Sequence, residues 1–167
     1  MEKAHQICLE MMDQRQYEII LNEPNQIIAL KPDKTRVVVF LSNISKFNVQ
    51  EMQTYISGMN KLKILHAIII YQEGVTSFTK KIAEESIEMK FELFAMEDLQ
   101  YNITKHKYQP QFKKLDPPQE LAFKEKYGNQ FAVLRKNDPI TLFYGYEKGN
   151  VIKIIRKNGY ITFRIVK

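Results

Sequence analysis

A chain of 167 residues with a net charge of +6, 44% hydrophobic and 26% charged, has the composition of a soluble globular protein with room for one ordinary domain or two small ones. Its single cysteine, Cys8, excludes an internal disulfide framework and a thiolate metal cluster. No run approaches the roughly 18 apolar residues of a membrane helix, and Met1-Glu-Lys-Ala-His-Gln lacks a signal peptide's basic-then-apolar order, so the expected compartment is cytosolic or nuclear, with no membrane partner.

Residues 2–17 predict a first helix, because Ile7, Met11 and Met12 fall on one face. Residues 22–25, Asn-Glu-Pro-Asn, break the pattern, and 26–31 and 36–41 then read as two strands joined by a Pro-Asp-Lys-Thr turn. A second helix starts at Asn48 as its cap, carrying Val49, Met52, Ile56 and Met59 at intervals of three and four. The continuous apolar run 64–71 follows it and ends before Gly74, as a strand covered on both faces does in an α/β sheet. Helical spacing returns over 76–89 through Phe78, Ile82 and Met89, and 90–94 is a short last strand. A domain boundary is expected at 99–102, which divides the chain into 1–101 and 102–167.

In the second part, 106–115 reads as irregular and basic. Asp116-Pro-Pro opens a helix that Gly128 stops, with Leu121 and Tyr127 as its expected buried contacts. Residues 131–134 predict a strand, and Asn137-Asp138-Pro139 a turn. The chain closes on a hairpin around Asn158-Gly159, read as a two-residue turn because both positions tolerate positive φ. That turn sets Arg156 opposite Ile161, Ile154 opposite Phe163 and Ile152 opposite Ile165 on a core face. The other face then pairs Lys153 with Arg164, a cation facing a cation, which only an acidic partner would relieve. The expected fold class is α/β for 1–101, a small central sheet flanked by helices, and α+β overall once the smaller second domain is added.

The charge is divided unequally. Residues 1–101 carry 11 basic and 14 acidic side chains, a net of −3, whereas 102–167 carry 14 and 5, a net of +9. Charge alone assigns the second half to a polyanion. There is no phosphate-binding glycine loop, so neither cofactor nor small-molecule substrate is expected. His5, His66 and His106 are too scattered for a metal site, and Cys8 has no activating neighbour. One enzymatic alternative is a Mg²⁺-dependent nuclease built from Asp33, Glu88 and Lys90. A free-standing basic adaptor is another. For nucleic acid, the loop 72–81 offers a glycine turn, a helix N-terminus and two lysines, Lys80 and Lys81; its plainer reading is a capped surface helix with solvated lysines.

Several stretches carry a resemblance. Asp138-Pro139, the pair Phe143-Tyr144, Gly145, Gly149 ahead of Val-Ile-Lys-Ile-Ile-Arg156, and Tyr160-Ile-Thr-Phe-Arg164 resemble the C-terminal domain of the fifth subunit of eukaryotic RNA polymerases, a domain that has its own counterpart in archaeal polymerases. Asn102-Ile-Thr104 with His106, and His66-Ala-Ile-Ile-Ile-Tyr-Gln-Glu-Gly74-Val-Thr76, are similar to the family further upstream. The presence of the N-terminal part makes the likeness one to the eukaryotic form. The resemblance implies a non-catalytic polymerase subunit, with 102–167 an assembly domain docked on the largest subunit and 1–101 a jaw reaching downstream duplex DNA. It places Thr76, Ser77 and Lys80, with Lys81 beside them, at a backbone contact with DNA, and it implies no metal and no catalytic residue. Tyr144, Tyr146, Lys153, Tyr160 and Arg164 mix aromatics and cations as interface hot spots do and are expected at the subunit interface, the plainer reading being that Phe143 and Tyr144 fill the small domain's core. Leu142 stands where the family has Arg, Ser77 where it has Pro, and the segment after Arg156 is short, so a diverged viral copy is one origin to weigh. The site of action would be the nucleus for a cellular copy, and a cytoplasmic factory or virion for a viral one.

Overall fold

The computed structural model describes residues 2–128 and 130–167. Met1–Tyr101 and Asn102–Lys167 form two compact units, with an α/β first unit and an α+β second.

In the first unit, α1 (Glu2–Gln14) buries Ala4, Ile7, Cys8, Met11 and Met12, the face that the three-and-four spacing marks out. The helix stops short of 17 because Gln16 takes a φ of 63°. The chain then enters β1 (Glu18–Glu23), a strand the sequence reading missed. It pairs antiparallel with β2 (Gln26–Leu30) and is exposed along nearly its whole length, so it carries no alternation to read. The next turn, into β3 (Arg36–Leu41), is held by the Asp33 carboxylate accepting the Thr35 N–H at 2.8 Å. Two crossovers follow: α2 (Val49–Leu62) leads to β5 (His66–Tyr71), and α3 (Ser77–Glu85) to β7 (Lys90–Ala95). The result is a five-stranded sheet of order β1-β2-β3-β5-β7, parallel across β3, β5 and β7. A two-residue ladder of β4 (Lys46–Phe47) with β6 (Gly74–Val75) ties the loops ahead of α2 and α3 together.

β3 and β5 are buried on both faces, which is why they read as unbroken apolar runs. On one face Val38, Phe40, Ala67 and Ile69 pack with Phe47 and with Met52 and Met59 of α2; the Phe40 and Tyr55 rings stack at 4.3 Å. On the other, Glu92 of β7 meets Arg15, just past the end of α1. The third helix is shorter than 76–89. Of the expected face, Ile82 and Met89 pack on the core, whereas Phe78 is 63% exposed and Thr79 is buried.

The second unit is a sheet of order β8-β10-β11-β9, from β8 (Gln111–Lys114), β9 (Val133–Leu134), β10 (Val151–Ile155) and β11 (Ile161–Val166). β8 lies in the stretch read as irregular; Phe112 is its one inward side chain, too little for a period. The helix α4 (Pro117–Tyr127) starts on a capping box between Asp116 and Gln119. Leu121 and Tyr127 are 61% and 56% exposed, so the expected contacts are wrong; Phe123 packs instead, against Phe163 at 4.6 Å and Phe131 at 5.0 Å. The predicted turn at Asp138-Pro139 is the start of a helix, α5 (Pro139–Tyr144). Asp138 accepts the Ile140 N–H at 3.0 Å, and Gly145 closes the helix at φ 65°.

The hairpin is displaced by one residue from the predicted register. Ile155 pairs with Ile161, Lys153 with Phe163 and Ile152 with Arg164. The loop holds Lys157, Asn158 and Gly159. The Gly159 N–H reaches Arg156 C=O at 2.9 Å, Gly159 takes φ 80°, and the Arg156 N–H reaches Tyr160 C=O at 2.9 Å. This is a type I turn closed by a left-handed glycine, the three-residue alternative to the tight turn. Lys153 and Arg164 therefore lie on opposite faces of the sheet, and the predicted cation pair does not form.

Candidate nucleic-acid and subunit interfaces

The loop ahead of α3 is built by backbone hydrogen bonds. Glu73 and Gly74 both donate to Ser45 C=O at 3.0 Å, and Thr76 donates to Phe47 C=O at 3.1 Å. Thr76 is then free to cap: its Oγ1 accepts the Thr79 N–H at 3.3 Å and lies 2.7 Å from Thr79 Oγ1. That leaves the N–H groups of Ser77 and Phe78 at an exposed helix start, beside the exposed Lys80 and Lys81. Lys81 has Glu85 at 3.8 Å, both mostly exposed, a pairing that screens little of its charge. Thr76 and Ser77 thus form the start of α3, with Lys80 in its first turn and Lys81 at its middle; the helix start suits a phosphate oxygen.

The interface residues are not gathered in the same way. The Tyr144 and Tyr146 rings stack at 5.2 Å and pack on the cluster of Leu134, Ile140, Ile152, Ile154 and Val166. Burial raises both phenol pKa values, so these side chains are half core. Tyr160 is 62% exposed. Arg164 donates from Nη1 to Val133 C=O at 3.3 Å, while Lys153 occupies the opposite face. Leu142 is 37% exposed.

A buried polar cluster escaped the sequence reading. Glu92 accepts from Arg15 Nη1 at 3.1 Å and Nη2 at 2.8 Å, and from His66 Nε2 at 2.7 Å. Burial by itself would raise the carboxyl pKa, but the Arg15 charge and the hydrogen bonds from His66 and Arg15 outweigh it and hold Glu92 well below the ordinary carboxylate range. A glutamate inside the apolar strand Lys-Phe-Glu-Leu-Phe was the available signal. The nuclease constellation fares otherwise. Asp33 sits in an exposed turn, Glu88 and Lys90 are exposed, and no group of three or more His, Cys, Asp or Glu able to hold a metal occurs among the described residues. Asn102, in a sequon-like triplet, is buried and accepts the Thr104 N–H at 3.0 Å, an internal cap.

Comparison with known proteins follows the same division. The family described as RNA polymerase Rpb5, C-terminal domain, matches residues 101–166. A chain of Invertebrate iridescent virus 6 that bears the name of a DNA-directed RNA polymerase subunit, 454R, is 33% identical over 183 residues, spanning 99% of this chain and 98% of its own. The chain belongs to the Rpb5 family of RNA polymerase subunits. Another relative is the Dictyostelium discoideum subunit rpabc1 of DNA-directed RNA polymerases I, II and III, 32% identical across 81% of this chain and 74% of its own. The Arabidopsis thaliana subunit 5A of DNA-directed RNA polymerase V is 29% identical across 80% of this chain and 62% of its own. Among solved structures, a DNA-bound restriction-modification enzyme, LlaBIII, matches 80% of this chain at 14% identity and a TM-score of 0.47, too low to support any argument.

Proposed function

We propose that this chain anchors to the largest subunit of a multisubunit DNA-directed RNA polymerase through Asn102–Lys167 and forms part of the downstream-DNA jaw through Met1–Tyr101. Membership of the Rpb5 family makes it a polymerase subunit, working in DNA-templated transcription. Phosphoryl transfer belongs, in this reading, to the large subunits, and the chain itself is non-catalytic. The observation that carries the reading is the alignment with the viral subunit over 99% of the chain, which leaves neither unit without a counterpart. The DNA contact is assigned to Thr76, Ser77, Lys80 and Lys81, where the exposed start of α3 and two lysines suit a backbone phosphate and carry no base readout. Relatives occur in cells and in a virus, so the site of action is the nucleus or a viral transcription site.

Affinity purification of the tagged chain from its native source tests the assembly. Two very large polymerase subunits in near-equal amounts are expected; a chain that purifies alone supports the basic adaptor instead. In the purified complex, Lys80→Glu with Lys81→Glu should reduce cross-linking to downstream duplex DNA and flatten its salt dependence. Unchanged cross-linking would remove those residues from the contact.

A further inference from the structure

The register that separates Lys153 from Arg164 gives Lys153 another cationic neighbour. Across β10 and β8, Lys153 lies directly opposite Lys113, and residues directly opposite share a face. One row of that face is Lys113, Lys153 and Phe163; the next, toward the hairpin turn, is Gln111, Ile155 and Ile161. α4 covers only one end, where Phe123 packs on Phe163 and Glu120 accepts the Val151 N–H. Ile161 is left 44% exposed, Lys113 exposed, and Lys153 and Ile155 half-buried. A lysine on the edge strand β8 has a bland use, discouraging stray strand pairing. Lys153, on the central strand β10, has no such use.

We propose that this face, Lys113 and Lys153 with Ile155 and Ile161, is a docking surface for a segment of another polymerase subunit that seats a carboxylate between the two lysines and an apolar side chain on the two isoleucines. The inference rests on the assembly reading above and names the face and the partner's chemistry. Charge complementarity selects the occupant. Of the unit's five carboxylates, Asp116 and Asp138 cap helices and Glu120 serves Lys124 and Val151, so charge complementarity favours a carboxylate from outside for the opposed lysines. Nucleic acid fits the lysines but leaves the isoleucine floor uncovered. A second copy would set lysine pair against lysine pair.

The test uses the polymerase purified with the full-length wild-type chain. Zero-length carbodiimide coupling should join Lys113 or Lys153 to an aspartate or glutamate of another subunit, with apolar residues beside it in the sequenced peptide. Lys113→Glu with Lys153→Glu, and separately Ile161→Asp, should lower incorporation at least tenfold. Lysine couplings confined to this chain, a coupling to a second copy, or an association abolished by nuclease would overturn the proposal, as would full incorporation of the charge-reversed chain. A wild-type chain absent from polymerase altogether would overturn the assembly reading and this inference together, and is told apart by the missing wild-type signal. The coupling needs no variant, so it decides the matter even where a substitution fails to fold.

Discussion

Replacing Glu92 by Gln tests whether the buried cluster holds the first unit together. The wild-type carboxylate takes three hydrogen bonds, two from the Arg15 guanidinium and one from His66, in a site where the Arg15 and Glu92 side chains are 4% and 12% exposed. Gln keeps one oxygen but turns an NH₂ toward a guanidinium nitrogen, donor against donor, and removes the Glu92 charge from beside the buried Arg15 guanidinium. Removing one partner of a buried pair costs about 3–5 kcal/mol, against a total of ~5–15 kcal/mol for a domain. At roughly 4–8 °C per kcal/mol for a unit of this size, the first unit's melting temperature should fall by at least ~12 °C. The chain has no tryptophan, so far-UV circular dichroism is the readout. Removing both charges, Arg15→Met with Glu92→Leu, should recover much of the loss, because neither charge then stays buried. The pH dependence has a definite sign. Glu92 has a depressed pKa, so its stabilisation is complete above the unfolded carboxylate range and is lost as pH falls toward the folded value. The gap between wild type and Glu92→Gln should therefore narrow from about pH 5 downward. A Glu92→Gln melt within ~2 °C of wild type, or a double variant no better than the single one, would refute the reasoning.

Three further outcomes follow from local geometry. Gly159→Ala should cost about 1–2 kcal/mol: the added Cβ meets nothing within 4 Å, so the whole penalty is the left-handed backbone at φ 80°, measured as a shift in the denaturation midpoint. Asp116→Ala removes the capping box of α4 and should cost ~1 kcal/mol in the same assay, with Asp116→Asn close to wild type. Burial pushes the Cys8 thiol up to about 12, with Arg15 lowering it and Glu92 raising it further, so a disulfide reagent at pH 8 should leave Cys8 unmodified in the native chain and react fully in denaturant; rapid native labelling would mean that α1 opens.

Most of the first unit was legible because its strands are buried on two faces and its helices on one, and each condition leaves a period in the sequence. β3 and β5 read as continuous apolar runs, and α2 as Met52 and Met59 spaced along a face that starts on the Asn48 cap. What failed was whatever stability did not imprint on periodicity. β1 holds its place through the hydrogen bonds of β2 and buries almost nothing, so Ile19 and Ile20 look like noise beside Glu18 and Glu23. α5 is a single buried turn and a half, too short for a repeat. It announced itself only through Asp138 and Pro139, the same cap-and-proline pair that was recognised at Asp116 and Pro117. The DNA-contact candidates were legible as a group because a cap, a helix start and two nearby lysines are all local in sequence. Glu92 stands out as a charge inside an apolar strand, but its partners Arg15 and His66 lie far away in sequence, so nothing local names them.

The hairpin shows why interface reasoning depends on register more than on composition. Asn158-Gly159 is compatible with a two-residue turn and with a three-residue loop closed by a left-handed glycine, and the two differ by a single residue in every cross-strand pair. Core burial does not separate them on this hairpin, because Val151, Ile152, Ile154, Ile165 and Val166 are all buried and both faces are covered over much of their length. The choice falls to the loop. The Tyr160 N–H finds Asn158 Oδ1 at 3.1 Å while the Gly159 N–H closes on Arg156, which satisfies the turn's donors without the second positive-φ residue that the tighter turn would demand of Asn158. Once that local choice is made, Arg164 passes to the face of Ile152, and Lys153 is left with Phe163 on one side and Lys113 on the other. Two like charges therefore still stand opposite each other, but on a different pair of strands, and the face proposed for an acidic partner is the one that β8 shares with β10.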